Sequence, residues 1–285
     1  MCKKKKILLL GSNGFIGKNL FKELKKSYQV TKFGNRKKKT NYINYKNLKN
    51  LKYTYDFIIN CAGDSVVRHS YKTKKNNDLN IVLSILKFIY FDQPQAKFIQ
   101  ISTSSVFGNS LKLQKLKPIS PYATRKLSCE KFIQNYSRKK KIDFRILRFF
   151  SVYGNGNQKQ LFWDTCEKIK KKDYTFFGNG EEIRSWMHIS DFCKIVIKVL
   201  KLKKQNLKIY NFCGNQIIKN RDLLTDFFKY YGVKSKPYFN GIINKGNPNF
   251  MYTKKCDLKE INFKQKTSLK NGIINYIKWQ KKKSI

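Results

Sequence analysis

Tyr122 and Lys126 stand four residues apart, directly after Pro121. That spacing puts both side chains on one face of a helix. A buried ammonium beside a phenol favours the phenolate and pulls a pKa that is ordinarily about 10 downward. A tyrosine tuned in this way can take or return a hydroxyl proton while hydride leaves or rejoins the same carbon. In a chain with 17 tyrosines and abundant lysine the pair alone carries little weight, so its surroundings decide. Upstream, an apolar run predicts a strand over Lys97–Ser102 that opens into Ser102-Thr103-Ser104-Ser105-Val106-Phe107-Gly108. Open α/β sheets place ligands at the C-terminal ends of their strands, and a hydroxyl there can hold a reacting oxygen beside Tyr122.

A second chemical feature lies at the N-terminus. A compact apolar strand, Ile7–Leu10, runs straight into Gly11-Ser12-Asn13-Gly14-Phe15-Ile16-Gly17, and a helical pattern follows. Glycines suit this place because the turn is tight and the backbone must approach a pyrophosphate. The helix N-terminus then offers free N–H groups and a positive dipole end. The strand–loop–helix context makes the loop a dinucleotide site, with Gly11, Asn13, Gly14, Phe15, Ile16 and Gly17 as candidate contacts. NAD commonly meets a carboxylate at the end of the second strand. Here that place reads Phe33-Gly34-Asn35-Arg36, followed by Lys37–Lys39. No carboxylate is present, and cations suit a 2′-phosphate, so Asn35 and Arg36 favour NADP over NAD.

The elements that must position these groups follow from periodicity. Helices are expected over Phe15–Lys26, Leu79–Phe91 and Tyr122–Lys139. Strands are expected at Gln29–Phe33, Asp56–Cys61 and Asp143–Phe149 as well as the two above. Short apolar strands alternating with helices imply βαβ units, hence an α/β Rossmann-type, doubly wound parallel sheet. After about Ser151 the alternation becomes irregular. The division expected is a dinucleotide-binding domain over 1–155 plus about 187–214, with a smaller, loop-rich, C-terminal substrate portion over 156–186 and 215–285.

Glycine loop, Ser-Thr strand end and Tyr-x-x-x-Lys in this order resemble the extended short-chain dehydrogenase/reductase family, specifically its NAD-dependent epimerase/dehydratase group acting on nucleotide sugars. The resemblance covers most of the chain. Asn60-Cys61-Ala62-Gly63 and Asn80 are similar to family segments, as are Arg148–Gly154 (RFFSVYG) and Gly178–Asp191 (GNGEEIRSWMHISD). It implies that Tyr122 is the acid/base, that Lys126 tunes it and binds the nicotinamide ribose, and that Thr103 bonds the reacting oxygen. It adds Ala62, Gly63 and Asn80 to the cofactor contacts. Ser104, Ser151 and Arg184 become substrate-side candidates, Arg184 toward a phosphate.

The chain departs from the pattern in places. Dehydratases of the group carry Asp-Glu after the Thr; here the pair is Ser104-Ser105, so dehydration is set aside. Ser151 replaces a substrate-holding Asn, and Asn244-Lys245-Gly246-Asn247-Pro248 lacks an Arg that grips the second phosphate in relatives. The expected reaction is hydride transfer at a sugar carbon, C4 first, with 4-keto reduction ahead of 4-epimerisation because of the NADP preference. The competing readings are an RNA- or nucleic-acid-binding member of the fold and a non-catalytic cofactor sensor. A homodimer is expected from the family, packed through the helices matching Leu79–Phe91 and Tyr122–Lys139.

Bulk properties narrow the field. The 285 residues carry 62 basic against 17 acidic side chains, net +45. The lysines are spread along the whole chain without a single basic stripe, which favours a general lysine bias over a nucleic-acid partner. Seven dispersed cysteines and two histidines argue against a disulfide framework or a metal site. No apolar stretch reaches a signal peptide's core or the ~20 residues of a membrane span, so a cytoplasmic, non-membrane enzyme is expected. His69 and His188 are read as structural, since Tyr122 and Lys126 already supply acid/base chemistry.

Overall fold

The computed structural model describes residues 4–34, 43–72, 77–139 and 142–283. The first part of the chain alternates β1 (Lys6–Leu10), α1 (Phe15–Leu24), β2 (Gln29–Phe33), α2 (Tyr45–Lys49), β3 (Phe57–Asn60), α3 (Val67–Ser70), α4 (Asn77–Asp92), β4 (Lys97–Thr103), α5 (Pro121–Lys139) and β5 (Phe144–Phe149). The remainder carries β6 (Ser151–Tyr153), α6 (Gln160–Lys170), β7 (Thr175–Phe176), β8 (Ile183–His188), α7 (Ile189–Lys201), β9 (Leu207–Phe212), β10 (Gln216–Lys219), α8 (Asn220–Tyr231), β11 (Tyr238–Phe239), β12 (Phe250–Met251) and α9 (Leu269–Lys283).

Six strands form one all-parallel sheet in the order β2-β1-β3-β4-β5-β9. Its inner strands β1 and β3 are apolar at all but one position each because helices cover both faces. Ile7, Leu9, Ile59 and Leu147 pack with α1 and α7 through Leu20, Phe192 and Val196. The alternate residues Leu8, Leu10, Ile58 and Ile146 pack with α4 and α5 through Ile85, Ile89 and Ile133. The doubly wound parallel sheet read from the periodicity is therefore the one observed. The order reverses at β1, with β2 on one side and β3 on the other. This switch point opens a crevice at the strand C-termini.

A second sheet joins β10-β8-β12, with β6 also paired to β8. The remaining apolar side chains gather in a cluster built on Phe162, Trp186, Phe227 and Tyr276. The chain passes between the two sheets over very short connections. Phe150 alone separates β5 from β6, and α7 starts at Ile189 immediately after β8 ends. At that junction His188 accepts a hydrogen bond from the Ser190 N–H and so caps α7. This is the structural role expected of His188. No helix among the described residues is long and apolar enough to cross a membrane.

Two buried ion clusters tie the layers together. Glu130 of α5 is fully buried and receives Arg148 of β5 in a two-pronged contact, at 2.6 and 3.1 Å, and the Ser102 hydroxyl of β4 at 2.5 Å. Arg145 pairs with Asp143 at 2.9 Å and donates to the carbonyls of Val199, Leu202 and Lys203, so it satisfies the otherwise bare end of α7. Removing one partner of such a pair leaves an uncompensated interior charge. Glu130→Ala is expected to cost about 3–5 kcal/mol, read as a lower urea midpoint at unchanged slope; an unaltered midpoint would show that Arg148 finds water instead.

Candidate active site

Strand β4 ends at Thr103, whose Oγ1 accepts from the Ser105 N–H at 3.2 Å and donates to Ser105 Oγ at 3.1 Å. This turns the chain into a short 3₁₀ segment, Ser104–Phe107. Across from it α5 begins with Pro121, whose missing N–H costs nothing at a first helical position. Ser120 caps the helix by accepting from Ala123 N–H at 3.2 Å. The Tyr122 N–H donates to Ser70 Oγ of α3 at 3.1 Å. The Thr103 hydroxyl lies close enough to the Tyr122 phenol to favour its phenolate, and the ammonium of Lys126 lies 5.8 Å from the Tyr122 ring centre. The three residues expected to share the chemistry are thus brought together.

The electrostatics differ from the expectation in one respect. Burial outweighs the lowering effects of Lys126 and the Thr103 hydrogen bond, so the Tyr122 pKa is raised above the ordinary phenol value. Asp78 of α4 contributes to the rise. Its carboxylate sits 2.9 Å from Lys126 Nζ, and both side chains are almost fully buried. The sequence names no partner for the buried Lys126 ammonium, and the structure supplies one in Asp78. A signal was available: Asp78 is one of few acids in the chain and precedes an apolar helix. Burial opposes the charge of Lys126, but Asp78 and Tyr122 more than offset it and hold its pKa above the usual lysine range.

The glycine loop lies at the switch point. Gly11 has φ +74°, and a Cβ there would stand 2.6 Å from Ala62 N. A Cβ on Gly17 would stand 2.3 Å from Gly11 O. These two glycines let loop, helix and β3 close on one another. Gly14 differs: a Cβ there would meet only Gly11 O, at 3.5 Å, and no side chain caps the α1 N-terminus behind it. Asn13 and Gly14 are exposed, whereas Phe15 and Ile16 are half-buried and pack on the core. An uncapped helix start facing open space suits a pyrophosphate, so the residues present fit a dinucleotide.

Beyond β3, Asn60 Oδ1 accepts from Ala62 N–H at 3.0 Å and shapes the turn into Gly63. Gly63 has φ +145°, and a Cβ there would lie 2.4 Å from Lys126 Nζ. Ala62 and Gly63 are therefore at the site floor. Asn80 is exposed on the first turn of α4, where Asp78 is the inward-facing residue. Asn35 and Arg36, which carried the NADP preference, lie outside the described residues, as do Lys37–Lys39.

On the substrate side, Ser104 is buried and its hydroxyl has no hydrogen-bond partner among the described residues. Ser151 opens β6, half-buried and in register with Trp186. Arg184 of β8 donates to the carbonyls of Ile183 and Asn249 at 3.0 and 3.2 Å. It is 8% exposed, and no carboxylate among the described residues lies within ion-pair distance. Burial lowers its pKa to about 10. A desolvated guanidinium lacking an anion is a place for one to bind.

Comparison with known proteins adds a family, two relatives and two solved structures. The model of the NAD dependent epimerase/dehydratase family matches residues 7–213. An uncharacterized UDP-glucose epimerase of Bacillus subtilis is 30% identical over 190 residues, which span 63% of this chain and 59% of that protein. A putative UDP-glucose 4-epimerase of Methanocaldococcus jannaschii is 25% identical across 96% of this chain and 98% of its own. Among solved structures, the UDP-glucuronic acid 4-epimerase of Bacillus cereus, in complex with UDP-glucuronic acid and NAD, superposes with a TM-score of 0.85 at 24% identity, over 97% of this chain and 99% of that one. The dTDP-glucose 4,6-dehydratase of Bacillus anthracis, in complex with NAD, gives 0.84 at 20%, over 98% and 97%. At these identities the structural likenesses establish the fold.

The loop geometry makes a direct test. Gly17→Ala forces a methyl against the Gly11 carbonyl, and the expected result is at least about a tenfold loss of dinucleotide affinity, on the scale of one lost well-placed contact, together with a lower melting temperature. Unchanged binding, followed by quenching of protein fluorescence with NADH, would remove the loop from the site.

Proposed function

The chain belongs to the NAD-dependent epimerase/dehydratase family of extended short-chain dehydrogenases/reductases, and from that premise we propose that it inverts the C4 hydroxyl of a nucleotide-linked sugar. One observation carries the reading: Tyr122, Lys126 and Thr103 converge at the end of β4, beside the glycine loop at the switch point. Bound NAD supplies a hydride acceptor at the sugar carbon. Gly11, Gly14 and Gly17 hold its pyrophosphate, with Asn13, Phe15 and Ile16 alongside, and Ala62, Gly63, Asn80 and Lys126 meet its nicotinamide half. Thr103 fixes the C4 oxygen. Tyr122 takes the C4 hydroxyl proton as the carbon becomes a ketone, then returns it when the opposite face is reduced. Arg184 takes a phosphate of the nucleotide, and Ser104 and Ser151 contact the sugar.

Several features favour epimerisation over the other chemistries of the family. Ser104 and Ser105 stand where dehydratases need an acid and a base, and hydroxyls cannot serve. The preference for 4-keto reduction rested on Asn35, Arg36 and the neighbouring lysines, which lie outside the described residues, whereas the related structures named above contain NAD. NAD is therefore our choice, with the reductase as the second reading. We also propose the division into a cofactor domain (1–155 plus about 187–214) and a substrate portion (156–186 and 215–285): the six-stranded sheet lies in the first, while the second sheet draws β6 and the end of β8 from it. We also propose a homodimer through α4 and α5, where Leu83, Tyr90, Phe91 and Phe132 are 41–62% exposed.

The first test is the cofactor carried by the purified protein and the product made from UDP-glucose or UDP-glucuronic acid. Retained NAD with interconversion of C4 epimers is expected; consumption of NADPH without epimer formation would replace this reading by the reductase. Tyr122→Phe should lower turnover by roughly 10²–10⁴-fold, the usual worth of a positioned acid/base, while NAD stays bound. A pH dependence follows from the Asp78 carboxylate. Because burial first, and the negative charge of Asp78 after it, raise the Tyr122 pKa, kcat/KM should climb with pH as the phenolate forms. Asp78→Asn should move that limb to lower pH. A limb that stays in place, or moves upward, would show that Asp78 does not reach Tyr122.

A further inference from the structure

Cys213 and Cys256 form a thiol pair outside the site just described. Cys213 follows β9 and is 5% exposed, while Cys256 is half-buried in the turn after β12. The backbones run side by side, with Asp257 N–H donating to Asn211 O at 3.0 Å. Cys213 N–H donates to Cys256 Sγ at 3.1 Å, short for a sulfur acceptor. The Leu258 N–H and the Cys213 thiol lie close enough to act on this sulfur as well, so the two cysteine side chains are neighbours. The Cys256 thiol in turn donates to Cys213 O at 3.7 Å, an oxygen that also accepts from Gln265 Nε2 at 2.6 Å.

From this adjacency we infer that Cys256, the more exposed of the two thiols, is the oxidant-reactive one and Cys213 its resolving partner, together a modification site that forms an intramolecular disulfide. The donors, led by the Cys213 thiol, lower the Cys256 pKa to about 7 in spite of burial and of Asp257. Cys213 is shifted the opposite way, first by the same contact with Cys256 and then by burial. The other cysteines among the described residues go the other way: burial pushes Cys129, Cys166 and Cys193 up to about 12, and Cys61 is raised as well, although Lys126 lies near it. Reactivity tracks the thiolate and its access.

The chemistry balances with hydrogen peroxide as the two-electron oxidant. The Cys256 thiolate attacks one peroxide oxygen, the O–O bond breaks and hydroxide leaves, giving a sulfenic acid. Cys213 sulfur then attacks the Cys256 sulfur. The S–S bond forms, the S–O bond breaks, and water leaves with the Cys213 proton. Cys213 reaches its partner by giving up its contact to Thr253 O at 3.5 Å. The bridge would fasten the segment after β12 to the end of β9, close to where β12 pairs with β8 at Arg184.

The test treats the reduced full-length protein with a few equivalents of hydrogen peroxide at pH 7 and maps thiols by differential alkylation. Peptide resolution separates Cys2, which lies outside the described residues. A Cys213–Cys256 linked peptide and a mass loss of about 2 Da are expected. Before oxidation, iodoacetamide should label Cys256 at least about tenfold faster than Cys166, from the difference in thiolate fraction. Cys213→Ser should leave a dimedone-trapped sulfenic acid on Cys256, and Cys256→Ser should leave Cys213 unreacted. Equal labelling of Cys256 and Cys166, a bridge to another cysteine, or no dimedone adduct in a Cys213→Ser protein of unchanged melting temperature would each overturn the assignment.

Discussion

A single buried carboxylate organises the catalytic half of this molecule. Glu130 holds Arg148 from β5 and Ser102 from β4 while belonging to α5. Tyr122, Lys126 and Glu130 follow one another at four-residue steps, so they form one stripe on α5 that faces the sheet. Anchoring the inner end of the stripe fixes the rotation of the helix about its axis. Ser102 is the residue before Thr103, so the same carboxylate also fixes the strand end that faces Tyr122. The phenol and the threonine hydroxyl meet because the layer beneath them is pinned by charge, in an interior where misplacing a charge is costly.

Above that anchor the site balances opposing electrostatic demands. A phenol buried beside the sheet resists ionisation, and Lys126 relieves the resistance. The ammonium is itself buried, and Asp78 keeps it charged. The close approach is possible because Gly63 offers no Cβ to the lysine head. Phenol, ammonium, carboxylate and glycine thus depend on one another, although they come from three different segments of the chain.

Much of this was legible in the sequence because it is local. The spacing of Tyr122 and Lys126, the glycine loop after β1 and the apolar strands each rest on a pattern within a few residues, and the structure places β1, α1, β2, β4, α5 and β5 within a few residues of the expected bounds. What sequence reasoning missed depends on pairing across distance. Asp78 meets Lys126 from 48 positions away in the chain, and no periodicity records that. The direction of the Tyr122 shift was misjudged for the same reason, since it depends on how completely other elements bury the phenol. The part beyond Ser151 looked irregular because most of its strands are short, β8 and β9 excepted, yet α6, α8 and α9 give it a core of aromatic rings.

The short passages between the two sheets have a consequence for recognition. Phe150 is the only residue between β5 and β6, and its N–H is bonded to Phe212 O at 3.1 Å; β8 hands over to α7 without any intervening residue. Neither crossing has spare dihedral angles to serve as a hinge. Ser151 and Arg184 sit on the paired strands β6 and β8 of one small sheet, which follows directly on β5 of the large one. In the function proposed above, the distance between the sugar end and the phosphate end of the cleft is a ruler set at folding. A ligand that matches it forfeits little conformational freedom on entry, and a new ligand length is reached by exchanging side chains along the ruler.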